Sequence, residues 1–229
     1  MFKTVLIVAG LTTTLFAGAA SAASAAANLV VNGSFEQVQI GSPFNSVNAA
    51  DIPAWTHTGA AGDALLWTVG YTDGSGTVTV ASDGKQFVTA GAGFLQNPSV
   101  GTWTQTVSGL TVGDTYDLSF KIAGEATFSS TLFVDVSASD TSLTTQTFAA
   151  PIGGTNYWSL WTGYSVSFVA NSASTTLSFG SNTSFDVGID DVSLTASVGA
   201  VPEPQTYAMM LAGLCLLGAV ARRKLSRKG

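Results

Sequence analysis

The chain has one cysteine, Cys215, and one histidine, His57, in 229 residues. No intramolecular disulfide can form, and metal sites built from cysteine and histidine are excluded by count. A Ser-His-Asp relay would depend on His57 alone, which stands between Thr56 and Thr58 in a loop-like stretch with no nucleophile-elbow sequence beside it. Positive charge is equally scarce. From Asn28 to Ala200 two bases, Lys85 and Lys121, face thirteen acids, a net charge near −11. Such a region cannot neutralise a row of phosphates, which excludes nucleic acid as a partner. The same region has no amphipathic helical period and no internal repeat. Its glycine-rich Thr72-Asp73-Gly74-Ser75-Gly76 leads into no helix and reads as a turn, not a phosphate cradle.

The two ends of the chain differ in kind from its middle. Met1 to Ala27 carries Lys3, an apolar stretch from Val5 to Ala20, and small-residue cleavage options at Ala20-Ser21-Ala22 and Ala25-Ala26-Ala27, the anatomy of a secretory signal peptide. The other end, 201–229, reads Val201-Pro202-Glu203-Pro204, a joint Gln205-Thr206-Tyr207, an apolar run from Ala208 to Ala221, and a basic terminus opening with Arg222-Arg223-Lys224. The run is shorter than the roughly 20 residues of a permanent membrane helix, so it suits a single short transmembrane helix held for a limited time. Its cations belong on the cytoplasmic side, which places everything before Val201 outside. Pro202, Glu203 and Pro204, the short apolar helix and the cluster of Arg222, Arg223 and Lys224 together resemble the PEP-CTERM protein-sorting signal of Gram-negative bacteria. That resemblance implies an exosortase as partner, transient inner-membrane anchoring, a cut near the Pro-Glu-Pro, and delivery to the cell surface or the medium.

Between these segments, residues 28–200 form one domain long enough for a single core. Short runs of β-branched and aromatic residues separated by Gly, Asn, Asp and Ser make it all-β. In Thr115 to Ile122, the residues Tyr116, Leu118, Phe120 and Ile122 alternate with Asp117, Ser119 and Lys121, so one face is buried and one is wet. Leu110 to Asp114 supplies a turn, with Thr102 to Val107 as a neighbouring strand and candidate hairpin partner. Ser165 to Val169 and Thr176 to Phe179 flank a turn at Asn171-Ser172-Ala173-Ser174. Leu132, Val134 and Val136 mark a further strand, and Val187 to Leu194 the last. Asp83-Gly84 suggests a hairpin joining Thr77–Val80 to Gln86–Thr89. So many short strands predict a two-sheet sandwich whose topology the pattern leaves open.

Five segments carry a second resemblance: Asn28-Leu29-Val30-Val31-Asn32-Gly33-Ser34-Phe35-Glu36; Ile52-Pro53-Ala54-Trp55; Gln105 to Leu110 with Gly113; Tyr116 to Phe120; and Gly188-Ile189-Asp190-Asp191-Val192-Ser193-Leu194. In this order they resemble the galactose-binding-like jelly-roll domains. The nearer branch holds choice-of-anchor exported proteins, plant cell-wall domains of unknown function, and relatives of bacterial carbohydrate-binding modules. The resemblance implies a jelly-roll β-sandwich with neighbouring termini and a structural Ca²⁺ site, for which Glu36, Asp190 and Asp191 are the candidate ligands. Strict alternation puts Asp190 on one face with Val192 and Leu194, which draws its carboxylate inward. A buried carboxylate needs compensation, and either a hard cation or backbone N–H groups can supply it.

Aromatic residues are the other resource. Trp67, Tyr71, Tyr157 and Trp158 border Gly-rich, loop-like sequence and are candidates for a platform that stacks on sugar rings, whereas Trp55 and Trp103 read as core. Threonine-rich stretches such as Thr141 to Thr145 raise ice binding, a label sorting tails of this kind sometimes carry, but no Thr-x-Thr repeat is sustained. The sequence therefore reads as an exported, non-catalytic surface or matrix protein that binds extracellular polysaccharide. A purely structural matrix protein without a ligand, a glycan-active enzyme and an ice-binding protein are the alternatives.

Overall fold

A computed structural model describes residues 26–38, 44–46, 52–59, 65–68, 79–90, 101–124, 132–151, 158–181, 187–197, 209–218 and 223, with backbone alone for 44–46, 65–68 and 132–133. The strands in chain order are β1 (Phe44–Ser46), β2 (Thr56–Thr58), β3 (Leu65–Thr68), β4 (Gln86–Ala90), β5 (Gly101–Ser108), β6 (Thr115–Gly124), β7 (Leu132–Ala138), β8 (Gln146–Ala150), β9 (Thr162–Val169), β10 (Ser174–Ser181) and β11 (Val187–Ala196). They build an all-β sandwich. One sheet runs β1-β3-β4-β11-β6-β9 and the other β2-β5-β10-β7-β8. Every pairing between these strands is antiparallel.

The core lies between the sheets, where the apolar faces of both interdigitate. Leu118, Phe120, Ile122, Phe168, Ile189 and Leu194 come from the six-stranded sheet, and Trp103, Val134, Val136, Leu177 and Phe179 from the five-stranded one. Phe179 bridges the layers, with its ring 5.4 Å from Phe120 and 6.0 Å from Trp55. Burying these large side chains removes apolar area worth about 1.5–3 kcal/mol each, and this is the term that closes one sheet over the other.

Two predicted hairpins are crossings instead. β5 and β6 lie in different sheets, as do β9 and β10. Alternation reports which face of a strand is buried, and a strand facing its neighbour across the core satisfies it as well as one beside it. The crossing loops are stitched together: Gly109 and Leu110 both donate to the Ala173 carbonyl at 3.0 and 3.1 Å, and Gly113 donates to Ala170 O at 2.8 Å. Gly109 and Gly113 hold φ near +90°, which only glycine takes without strain. The Asp83-Gly84 hairpin does not form either. Residues 79–81 are not strand, and β4 pairs with β3 and β11.

The start and end of the sandwich are fastened together. Asn28 Oδ1 accepts the Leu194 N–H at 2.9 Å, and Leu29 N–H donates to Leu194 O at 2.8 Å. The buried Gln105 amide pairs with both N–H and C=O of Val31 at 2.8 Å each, standing in for a strand partner. Residues Ala26–Ser197 form this compact unit. Separately, 209–218 are helical, with Met209, Met210, Leu211, Leu214, Leu216 and Leu217 each 60 to 75 % exposed. Among the described residues no helix is long and apolar enough to cross a membrane. Of the expected signal peptide, residues 1–25 lie outside the described residues, as do Pro202, Glu203, Pro204, Arg222 and Lys224 of the tail; Arg223 is helical and exposed.

Candidate functional site

Two carboxylates from opposite ends of the chain meet at the loop before β4. In β11 the register shifts between Asp190 and Ser193, where Asp191 takes φ of 52°. This bulge reverses the inside-outside alternation. Ile189 pairs with Ile122 on the core side before it, while Val192 and Leu194 are core residues after it. Asp190 is left opposite Lys121 on the outer face of the six-stranded sheet, not on the inner face with Val192 and Leu194 as strict alternation predicts.

Asp190 is nonetheless wholly buried, because the loop closes over it. Its Oδ2 accepts the N–H groups of Ser82 and Asp83 at 2.9 and 2.8 Å, and Oδ1 accepts that of Asp191 at 2.8 Å. Glu36 holds the other end of the same loop: its Oε1 accepts from Lys85 and Gln86 N–H at 2.5 and 2.6 Å. Gly84 sits between them at φ of 62°, and a Cβ there would stand 2.5 Å from Glu36 Oε1. Gln86 then reaches back, donating from Nε2 to Phe35 O and Val38 O.

Burial pushes the Asp190 carboxyl up to about 7, while the N–H groups of Asp83, Asp191 and Ser82 pull it down and the charge of Asp83 raises it slightly. Desolvation therefore outweighs the backbone donors, and part of the anion's cost stays uncompensated. Among the described residues no group of three or more His, Cys, Asp or Glu side chains could hold a metal ion; Glu36 and Asp190 are the two acids that close on this loop, through backbone N–H groups. Asp191 does not join them. Its carboxylate forms an ion pair with Lys121 Nζ at 3.1 Å, on half-exposed surface.

Trp158, expected at the surface, is 1 % exposed. Its ring lies 5.3 Å from that of Phe87, and Trp161 meets Phe87 edge-on at 5.2 Å. Both indoles cover Gly188, where a Cβ would come within 2.8 Å of Trp158 and 2.9 Å of Trp161. Trp161 Nε1 anchors the loop to Val80 O at 2.8 Å. This small second core on the outer face of the six-stranded sheet leaves Trp158 no open ring face for a sugar. Trp67 stands opposite Phe87 in the β3–β4 ladder; its side chain, Tyr71 and Tyr157 lie outside the described residues. His57 belongs to strand β2 and not to a loop, with its ring 4.9 Å from Trp103.

Sequence reasoning missed the outer face of the five-stranded sheet. Thr56 and Thr58 of β2 pair with Thr104 and Thr102 of β5. Thr104 and Thr106 pair in turn with Ser178 and Thr176 of β10, and Ser178 with Ser137 of β7. The signal was the alternation Thr102-Trp103-Thr104-Gln105-Thr106 beside Thr56-His57-Thr58: each is a short Thr-x-Thr run, and the array is assembled across strands.

Residues 28–191 match the family described as "Protein of unknown function (DUF642)". The chain belongs to the DUF642 family. Residues 200–224 match the PEP-CTERM protein-sorting motif, which marks this DUF642 protein for export to the cell surface or extracellular space of a Gram-negative bacterium. No curated protein sequence matches the chain. Among solved structures, the fold is similar to that of TmCBM61 in complex with β-1,4-galactotriose, at 16 % identity and a TM-score of 0.49 over 75 % of this chain and 99 % of that one. It is also similar to the CBM22-1 xylan-binding domain of Paenibacillus barcinonensis Xyn10C, at 15 % identity and 0.42 over 78 % and 100 %.

Proposed function

We propose that this DUF642 protein is a non-catalytic component of the cell surface or extracellular matrix that holds polysaccharide, delivered there by an exosortase after transient anchoring through its tail. The observation that carries the ligand half is the outer face of the five-stranded sheet, a hydroxyl-covered surface on a domain otherwise crowded with acids. Such a face matches a partner that is itself a dense array of hydroxyls. The non-catalytic half is supported by His57, the single histidine of the chain, whose ring packs on buried Trp103 at the sheet edge. Ca²⁺ belongs to the same proposal as a structural ion held by Glu36 and Asp190, where it would lock the loop before β4 to both ends of the chain.

Two measurements test the reading. Cells with and without the sorting enzyme are fractionated and the C-terminus of the released protein is sequenced; the reading requires loss of 208–228 only when the enzyme is present. The full chain, kept soluble in mild detergent, is then sedimented with a panel of neutral and acidic polysaccharides. Retention by none of them leaves a structural matrix protein without a glycan ligand.

A further inference from the structure

We infer that the outer face of the five-stranded sheet binds neutral polysaccharide chains packed side by side, as in an insoluble fibre, in preference to a single soluble chain or an acidic polymer. The inference rests on the polysaccharide reading above and names the surface and the class of glycan.

The face is a two-dimensional lattice of hydroxyls. Its central row runs Thr56–Thr104–Ser178–Ser137 across four strands, and the Thr106–Thr176 pair stands one step further along. Neighbouring strands are spaced about 4.8 Å apart, and successive same-face residues on one strand about 6.8 Å. The hydroxyls therefore recur in both directions across the sheet, as do those of sugar chains lying side by side. Thr106 and Thr176 hydroxyls already bond each other at 3.1 Å, which holds that pair in a fixed orientation.

Charge selects the partner. Residues 28–200 carry thirteen acids, yet on this face the strand register places one, Asp135, and no base. Asp135 is itself engaged, accepting the Thr147 hydroxyl at 2.5 Å. The opposite outer face, by contrast, carries Asp117, Lys121 and Asp191. A polymer rich in carboxylates would be repelled by the domain as a whole and find no cation here, whereas an uncharged glycan meets no penalty.

Along β2, β5 and β10, which carry the hydroxyl rows, the register places no aromatic on this face, the aromatic position Phe133 falling on β7 opposite Ala149, and that decides between one chain and many. An aromatic ring gives a single sugar chain a strong local contact. Hydroxyl-to-hydroxyl bonds exchange with water almost evenly, so each contributes little. Useful affinity then needs many contacts made at once, and only chains fixed side by side present them together. Sheet twist of about 20–25° per strand confines the match to a few neighbouring strands, which points to β5, β10 and their immediate partners.

The full chain in mild detergent is tested on microcrystalline cellulose as a packed neutral probe, on soluble cello-oligosaccharide, and on alginate. Cellulose retention should exceed the other two at least tenfold and barely change with salt. Thr104→Lys with Ser178→Lys should lose at least tenfold of it, as should the shape-preserving pair Thr104→Val with Thr176→Val, which covers the case in which lysine disturbs the strand. Ser165→Lys on the other sheet should keep it. The inference is overturned if the face variants bind cellulose like the parent, or if soluble oligosaccharide or alginate competes equally; the broader polysaccharide reading then still stands. Retention on no glycan overturns both. Thermal hysteresis in the parent that disappears in Thr104→Lys would assign the face to ice and overturn the glycan assignment.

Discussion

Removing the Asp190 carboxylate should unfasten the loop before β4 and erase a specific pH dependence. Asp190→Ala leaves three N–H groups, those of Ser82, Asp83 and Asp191, facing a cavity without an acceptor. Each unsatisfied buried donor costs about 1–3 kcal/mol, and partial relaxation of the loop brings the total to roughly 2–5 kcal/mol. For a domain of this size that lowers Tm by about 5–15 °C. Asp190→Asn keeps the shape but sets an amide against at least one N–H, at a cost of about 1–2 kcal/mol. The pH test separates charge from shape. The folded carboxyl sits at about 7 against an ordinary 3.8. Between those values the unfolded chain has released its proton while the folded chain retains it, so rising pH favours unfolding. The stability tied to this group is fully present below about pH 4, is lost as pH rises through about 7, and amounts to at most about 4 kcal/mol. Urea denaturation of parent and Asp190→Asn in chelator, from pH 4 to pH 8, cancels the background of the other acids. The parent should lose about 2–4 kcal/mol relative to the variant over that range. A difference that stays flat, or grows in the parent's favour as pH rises, would refute the account of Asp190 as a buried, under-compensated acid.

Calcium should raise Tm at pH 8 more than at pH 5, where Asp190 holds a proton, and Glu36→Gln should abolish the rise; identical melting in calcium and chelator retires the ion. Asp191→Asn should cost less than about 1 kcal/mol and leave any calcium response intact, since it breaks only a half-exposed ion pair and asparagine tolerates positive φ. A loss as large as that of Asp190→Ala would mean that the two acids act together after all. Gly188→Ala should destabilise by about 1–3 kcal/mol, because the new methyl collides with Trp158 and Trp161. It should also shift tryptophan fluorescence, and an unchanged spectrum and Tm would show that the second core is loose.

The chain by itself determined a good deal. Alternation in Thr115 to Ile122 and its counterparts fixes which side chains are buried, since a strand presents successive residues to opposite faces whatever its neighbours are. Composition fixes the strong acidity of the domain, and the order of proline, apolar run and arginines at the end fixes the sorting motif, because these are local properties of consecutive residues. Partnership between distant segments is a different kind of fact. Whether β5 lies beside β6 or across the core from it is decided by the total packing of both sheets, and the period of two is blind to that choice. A bulge at Asp191 reverses the phase of one strand and moves Asp190 to the outer face, where the loop buries it while Asp191 pairs with Lys121. A covering loop makes Trp158 a core residue, although its neighbours in sequence read as surface. The hydroxyl lattice exists only once residues 56, 104, 178 and 137 are brought side by side. Sequence spacing records position along the chain, and a binding face is laid out across it.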